Sequence, residues 1–595
     1  MNASRALSSL AALSALGLVM GAFPAGCGAP PPVMTPDQVR TSGAPSATAA
    51  PTGAASASGE PRAGDPRAPK SHRHAVASEN PIATKIAMSI LERGGSAVDA
   101  AVAGALAGGV VQPVSSGIGG GGFAMIYDAK AKRVTVLDFH DAAPRGLAPN
   151  DYVGLSTRLR VGKEGIMTGV PGEVAGLTEM HARWGKLAFA ECVRGAAEAA
   201  AQGFPVSAHM ARVLKMNEKW VQRSPGYAPI FHPAGALLSV GATAKNPALA
   251  ATLQRIAAEG KAAFYEGAIA ADILATARAG GSRMVKDDLA RYEVIERAPL
   301  RTAWEGNEVF TTPPPSAGGV LMLETLHMHA KADLEALGFG TGAYQHLLAE
   351  TFRGAVADRM RLLGDPAFVR VDVGALTSRE RMKARRARIS LTATTPAEKF
   401  PVSEAGTSHL VTVDAEGNVV SLTTTVSNMF GAKLVTKGGF VLNDALSDFT
   451  LDRTERIFGI RLGPNRPRGG ARPISSMTPT IVVRGDTPIL ALGGSGGTRV
   501  ATGTTQVLLA HLAFGRRVGE AVADGRLETP PSGGLYVDTS TPPEIIKDLE
   551  RRGEVVSATM PNFSAVQAIS IQMKDGARVI EAAADPRKGG EGAVQ

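Results

Sequence analysis

Two cysteines in 595 residues leave little scope for covalent cross-linking. Cys27 sits in an N-terminal export pattern and Cys192 in an Ala-rich helical stretch, residues 187–201. If Cys27 is acylated, no intramolecular disulfide is possible, and Cys192 reads as a buried small hydrophobe. Aromatic residues are also scarce, at 5% of the chain. The formal charge is mild, 63 − 54 = +9, and the arginines are scattered without interleaved aromatics. That excludes a nucleic-acid stripe as the organising feature. Histidines number 11, and they do not cluster. His327 and His329 are two apart, so on a helix they face different sides and make a poor metal pair. No other His, Cys or carboxylate group has ligand spacing, and no repeat of fixed period is present.

The N-terminus carries Arg5, an apolar run over residues 6–20, and then Phe23-Pro24-Ala25-Gly26-Cys27. Residues 1–27 therefore read as an export signal ending in a lipobox-like cysteine, with Cys27 as the expected lipidation site and a plain cleaved signal as the alternative. Pro24 stands where an aliphatic residue is usual. Residues 28–74 are rich in Pro, Ala, Gly and Ser. Such a stretch buries too little apolar surface to offset its ordering entropy, so it reads as a linker that includes His72 and His74. Export to the periplasm or the outer membrane follows, with membrane contact only through the lipid.

The folded part begins at residue 75. Residues 82–93 have helical periodicity, ended by Gly94-Gly95, and residues 97–111 read as a buried helix of small side chains. Residues 343–363 carry apolar side chains at helical spacing. From Thr407 onward the texture becomes strands and tight turns. The segment Gly406-Thr407-Ser408-His409-Leu410-Val411-Thr412-Val413 is β-rich, Asp414-Ala415-Glu416-Gly417-Asn418 is a turn cluster, and 419–426 is β-rich again. Together they predict a hairpin. With 414–418 as the loop, paired numbers sum to 832, which sets Thr407 opposite Thr425 on one side of the sheet.

The residues around those threonines resemble the maturation site of the γ-glutamyltranspeptidase family, within the N-terminal-nucleophile hydrolases. The likeness extends through Ser116-Gly117-Ile118-Gly119-Gly120-Gly121-Gly122-Phe123, Gly169-Val170-Pro171-Gly172, Pro313 to Gly319, Gly364-Asp365-Pro366, Arg472 to Thr480, Gly493 to Arg499 and Asp585-Pro586-Arg587. Each motif is weak alone, but in this order they are specific. The resemblance implies an α+β fold, a four-layer αββα sandwich. It implies self-cleavage at the Gly406–Thr407 bond, giving a large subunit, 75–406, and a small subunit, 407–595, in one shared core. Thr407 would be the nucleophile and Thr425 its hydrogen-bonding helper. Gly496 and Gly497 would supply oxyanion N–H groups. Ser475 and Ser476 would bind the substrate α-carboxylate and Asp448 its α-ammonium. The substrate would be a glutathione-like γ-glutamyl compound, with water or an amino acid as acceptor and no metal or organic cofactor.

The chemistry suits the residues. A threonine hydroxyl needs a base. Cleavage before Thr407 would free an α-amine with a pKa near 8 on the same residue.

Three positions depart from the family pattern. His140 stands where an Arg usually grips the α-carboxylate, Ser427 where an Asn is usual, and Ala445 where a Gln or Glu is usual. Losing the Arg–carboxylate pair removes roughly 1.5–3 kcal/mol. His140 compensates only when protonated, below a pKa near 6.5. A related acylase acting on other short carboxylic amides is therefore the second reading, and an inactive lipid-anchored binding protein the third. Gly493-Gly494-Ser495-Gly496-Gly497 also fits a serine nucleophile elbow. That reading needs a downstream acid and then a His, and only His511 follows. The Arg- and Gly-rich stretch 449–470 is a candidate lid.

Overall fold

The computed structural model describes residues 71–152, 164–396, 406–450, 463–530, 533–560 and 564–595. The expected export signal, the lipidation site Cys27 and most of the expected linker lie outside these residues.

Two antiparallel sheets carry the architecture. Their strands in chain order are β1 (Ala75–Ser78), β2 (Gly121–Asp128), β3 (Arg133–Phe139), β4 (Ile295–Arg297), β5 (Leu300–Trp304), β6 (Asn307–Thr311), β7 (Gly406–Val413), β8 (Val419–Ser427), β9 (Thr480–Arg484), β10 (Thr487–Ser495), β11 (Ala565–Lys574), β12 (Ala577–Ala584) and β13 (Glu591–Val594). The first sheet has the order β13-β1-β7-β8-β2-β3-β4, and the second β12-β11-β10-β9-β6-β5.

Alternation along each strand assigns its side chains to two different cores. Val411 and Val413 of β7 meet Met477, Ile481, Ala491 and Ile569 between the sheets. Leu410 of β7, with Val420 and Leu422 of β8, turns instead to the helices outside the first sheet. Val482, Leu490, Leu492 and Val566 turn outward from the second sheet to another set of helices. The result is helices, sheet, sheet, helices, the four-layer αββα sandwich. Val411 and Ile481 are fully buried, and burial of each such side chain contributes about 1.5–3 kcal/mol.

The helices start where local chemistry favours it. In α1 (Pro81–Glu92), Asn80 accepts from the Ile82 N–H and Pro81 occupies the first turn. In α2 (Ala97–Val111), Ser96 and Asp99 form a capping box. Its small side chains leave it buried on nearly every side, as the sequence predicts. The hairpin forms with its turn at 414–418, where the Asn418 N–H donates to Asp414 Oδ1 at 2.9 Å.

Two readings need correction. Residues 71–74 are part of the folded body. The His72 N–H donates to the Arg578 carbonyl, and His74 exchanges backbone hydrogen bonds with Gln595. The Ile580 N–H donates to His72 Nδ1 at 2.9 Å. The polar flank of β1 is ordered because strand backbone on two sides offers it partners. Secondly, tertiary structure brings together two side-chain groups, Asp99–His181–Cys192 from three separate segments, and His346–Glu350–Glu554, whose first two members lie four apart on one helix. Both are already served by protein donors. Asp99 Oδ2 accepts from the N–H groups of Ser96, Lys186 and Leu187. Arg353 donates to both Glu350 and Glu554. No helix among the described residues is long and apolar enough to cross a membrane.

Candidate active site

The hairpin register holds from Val413↔Val419 through Ser408↔Thr424 and then shifts, with Ser427 opposite Gly406. The expected sum of 832 is therefore met up to the bond of interest and broken just at it. The two threonines still meet, with their Oγ1 atoms 3.3 Å apart. The Thr425 hydroxyl donates to the Gly406 carbonyl, the one that precedes Thr407, and accepts from the Ser427 N–H at 2.9 Å. A hydroxyl donor on that oxygen, with a second hydroxyl beside it, is an arrangement suited to attack on the Gly406 carbonyl carbon. Ser427 adopts φ +76°, the left-handed region that a non-glycine residue enters at a cost.

On the other side of this pair lies β2, whose partners run from Tyr127↔Val419 to Gly121↔Thr425. The early glycine motif makes that approach possible. A Cβ on Gly120 would lie 2.0 Å from the Thr425 carbonyl oxygen.

A narrow cleft of about 30 Å³ is lined by Thr407, Thr425, Ser427, Asp448, Ser475, Ser476, Gly497 and His140, together with Arg359, Met477, Thr498 and Val500. Residues from three of the sequence motifs, at 406–409, 472–480 and 493–499, thus converge with residues from the segments between them. Gly496 precedes Gly497 at the end of β10. Their φ values, +123° and +66°, are open to glycine and strained for other residues. The segment bearing Ser475 is held by the Pro313–Gly319 motif. The Ala317 N–H donates to the Ser475 carbonyl, and the Ser475 N–H donates to the Pro315 carbonyl. Ser475 Oγ accepts from the Met477 N–H at 3.0 Å.

Asp448 ends a short 3-10 turn, Ala445–Asp448. Ser427 donates to it at 3.2 Å. Ala445 is fully buried and is not part of the cleft lining. Asn428 does not replace the missing Asn. It donates through both its backbone and its side chain to Asp444, whose carboxyl is raised to about 6 by burial.

His140 lines the cleft, but it cannot act as the expected cation. Burial pushes its pKa down to about 4, so it is neutral at ordinary pH. Neither ring nitrogen has a hydrogen-bond partner among the described residues. The nearby guanidinium, Arg472, is committed to Asp138.

Sequence reasoning missed two groups. Lys588 donates to the Thr407 carbonyl at 2.9 Å, to Ser495 Oγ at 2.6 Å and to Glu79 at 3.0 Å, so it braces the start of β7. Arg359 enters from the last turn of the helix Gly342–Leu362, and its spacing carried no signal. The serine-elbow reading fails on geometry. Ser495 is fully buried against Lys588, and His511 Nδ1 is engaged with the Arg516 carbonyl. His327 and His329 take separate partners, Thr302 and Thr377 for one and Thr351 for the other. The central part of the candidate lid, 451–462, lies outside the described residues.

Comparison with known proteins places this geometry in context. The family described as Gamma-glutamyltranspeptidase matches residues 83–595. The glutathione hydrolase proenzyme of Bacillus subtilis (strain 168) is 32% identical over 530 residues, covering 84% of this chain and 88% of that protein. The cephalosporin acylase structure from Bacillus halodurans superposes with a TM-score of 0.79 at 26% identity, covering 90% of this chain and 98% of that one. The Helicobacter pylori gamma-glutamyltranspeptidase structure gives 0.50 at 33% identity, covering 53% and 92%. With the family pattern matched over most of its length, the chain belongs to the γ-glutamyltranspeptidase family.

Proposed function

We propose that the chain is a self-processing γ-glutamyl hydrolase and transferase that cleaves the γ-glutamyl amide of glutathione-like compounds through a threonyl acyl-enzyme. The observation that carries this is the contact of Thr407, Thr425 and the Gly406 carbonyl. In the precursor, Thr407 Oγ1 attacks the Gly406 carbonyl carbon while Thr425 donates to the carbonyl oxygen. The peptide C–N bond breaks as the acyl group moves to Oγ1, and water then hydrolyses the resulting ester. One precursor thereby yields a large and a small subunit.

The freed α-amine of Thr407 next serves as base for its own hydroxyl. Thr407 Oγ1 attacks the γ-carbonyl carbon of the substrate. The oxyanion is assigned to the backbone N–H groups of Gly496 and Gly497, the second of which lines the cleft. The leaving amine takes the proton. Water then releases glutamate, or an amino acid accepts the γ-glutamyl group. Asp448 and the serines 475 and 476 are assigned to the substrate's ammonium and carboxylate. Export, with lipid on Cys27, is proposed from the N-terminal pattern alone.

A second reading, a related acylase for other short carboxylic amides, is favoured by the neutral His140 in the altered head-group site and by the likeness to a protein named cephalosporin acylase. A paired rate assay of the purified enzyme with γ-glutamyl and glutaryl anilides at pH 6 and pH 8 separates the two. Preference for γ-glutamyl is expected, with a pH dependence set by the Thr407 amine and not by His140. Preference for glutaryl would make the enzyme an acylase, and absence of any turnover would support the inactive binding protein.

A further inference from the structure

The cleft has lost the family's carboxylate-gripping Arg, yet it is not without a cation. Among the described residues lining it, Arg359 is the only Arg or Lys. Its Nη1 donates to Ser476 Oγ, a serine assigned above to the substrate carboxylate. Its Nε is buried and has no hydrogen-bond partner among the described residues. A guanidinium offers five N–H donors in a planar fork and stays protonated. One edge here is thus anchored to Ser476, beside the assigned carboxylate site, while the buried Nε donor of the same fork stays unmatched. Burial disfavours its charge, while Asp448 and Glu528 favour it.

We infer that Arg359 binds the carboxylate of the acyl donor, in the role that His140 cannot fill. This rests on the assignment of the cleft as the acyl-donor site. With both Arg359 and Asp448 in its lining, the cleft presents one positive and one negative group, the complement of an α-amino-acid head group. A purely structural Arg359 would instead hold Ser476 in place without contacting substrate.

Three anilides separate these roles. The γ-glutamyl compound carries ammonium and carboxylate, the glutaryl compound only the carboxylate, and the 4-aminobutyryl compound only the ammonium. For the matured Arg359→Gln enzyme, the ratio of kcat/KM for carboxylate-bearing over carboxylate-free substrates should fall about ten- to a hundredfold. Arg359→Lys, which keeps the charge and loses the fork, should fall less, and it serves if Arg359→Gln does not mature. Dissociation constants for glutarate and 4-aminobutyrate, measured by calorimetry, give the same comparison without turnover. An equal loss on all substrates, an unchanged ratio, or failure of the wild-type enzyme to bind glutarate would overturn the inference. The wild-type rates alone judge the γ-glutamyl reading. An enzyme that prefers glutaryl but loses it in Arg359→Gln would retain Arg359 as the carboxylate grip.

Discussion

Thr425 has one hydroxyl with three neighbours, namely the Gly406 carbonyl, the Thr407 hydroxyl and the Ser427 N–H. Thr425→Val keeps the branched shape and removes all three hydrogen bonds. Maturation should slow by about 10² to 10³-fold, the size of effect seen when one oxyanion donor is deleted. A time course of precursor disappearance on denaturing gels reads this directly. Processing at the wild-type rate would show that the polarising contact is idle. The pairing of Thr407 with Thr425 was legible from strand arithmetic, because side-chain alternation has a period of two. The register shift beside the bond was not, because a bulge has no composition signature. His140 was legible as a departure from the family pattern. Its neutrality was not, since burial sets that and burial is a property of the packed chain.

At the scale of elements, the helix α3 (Glu173–Trp184) carries a buried acid at its first position. A helix N-terminus favours an anion, yet desolvation dominates and raises Glu173 to about 8. Neighbouring Asp141 is raised as well, by burial first and then by Glu173. The folded state therefore keeps a proton that the unfolded chain, with a value near 4.5, releases. The stabilisation is present below pH 4.5 and lost as pH rises toward 8. Glu173→Gln removes that loss. Its melting temperature relative to wild type should rise between pH 4.5 and pH 8 and level off above, as followed by thermal denaturation. A difference that stays constant across this range would mean Glu173 is ionised in the folded protein. Residues 97–111 announced their helix by small apolar side chains. The acid at the head of α3 gave no such warning, because Gly172-Glu173 reads as an ordinary helix start.

At the scale of the whole molecule, the expected cleavage point lies inside a sheet. β7 and β8, which follow the bond, sit between β1 and β2, which precede it. In the second sheet, β5 and β6 from before the bond extend a sheet whose other four strands come after it. Separating the two halves would expose the core between the sheets, where Phe123, Met125 and Val136 from before the bond share one cluster with Val411 and Ile481 from after it. The matured subunits should therefore co-elute on gel filtration in native buffer and separate only in denaturant. Two native peaks would contradict a shared core.

By itself the sequence determined the family, the sandwich and the hairpin, and it named several of the residues that line the cleft, Thr407, Thr425, Ser427, Asp448, Ser475, Ser476, Gly497 and His140. Those rest on local patterns, namely alternation, turn chemistry and ordered motifs, and local patterns survive without coordinates. Only the tertiary structure decided which charges the cleft holds. It buried His140, which lowers its pKa to about 4, and it supplied Arg359 from a helix more than a hundred residues before Ser476. It also placed Lys588 at the start of β7. Charge in a site depends on solvent exclusion and on contacts between distant segments. Neither is written in the spacing of residues along a chain.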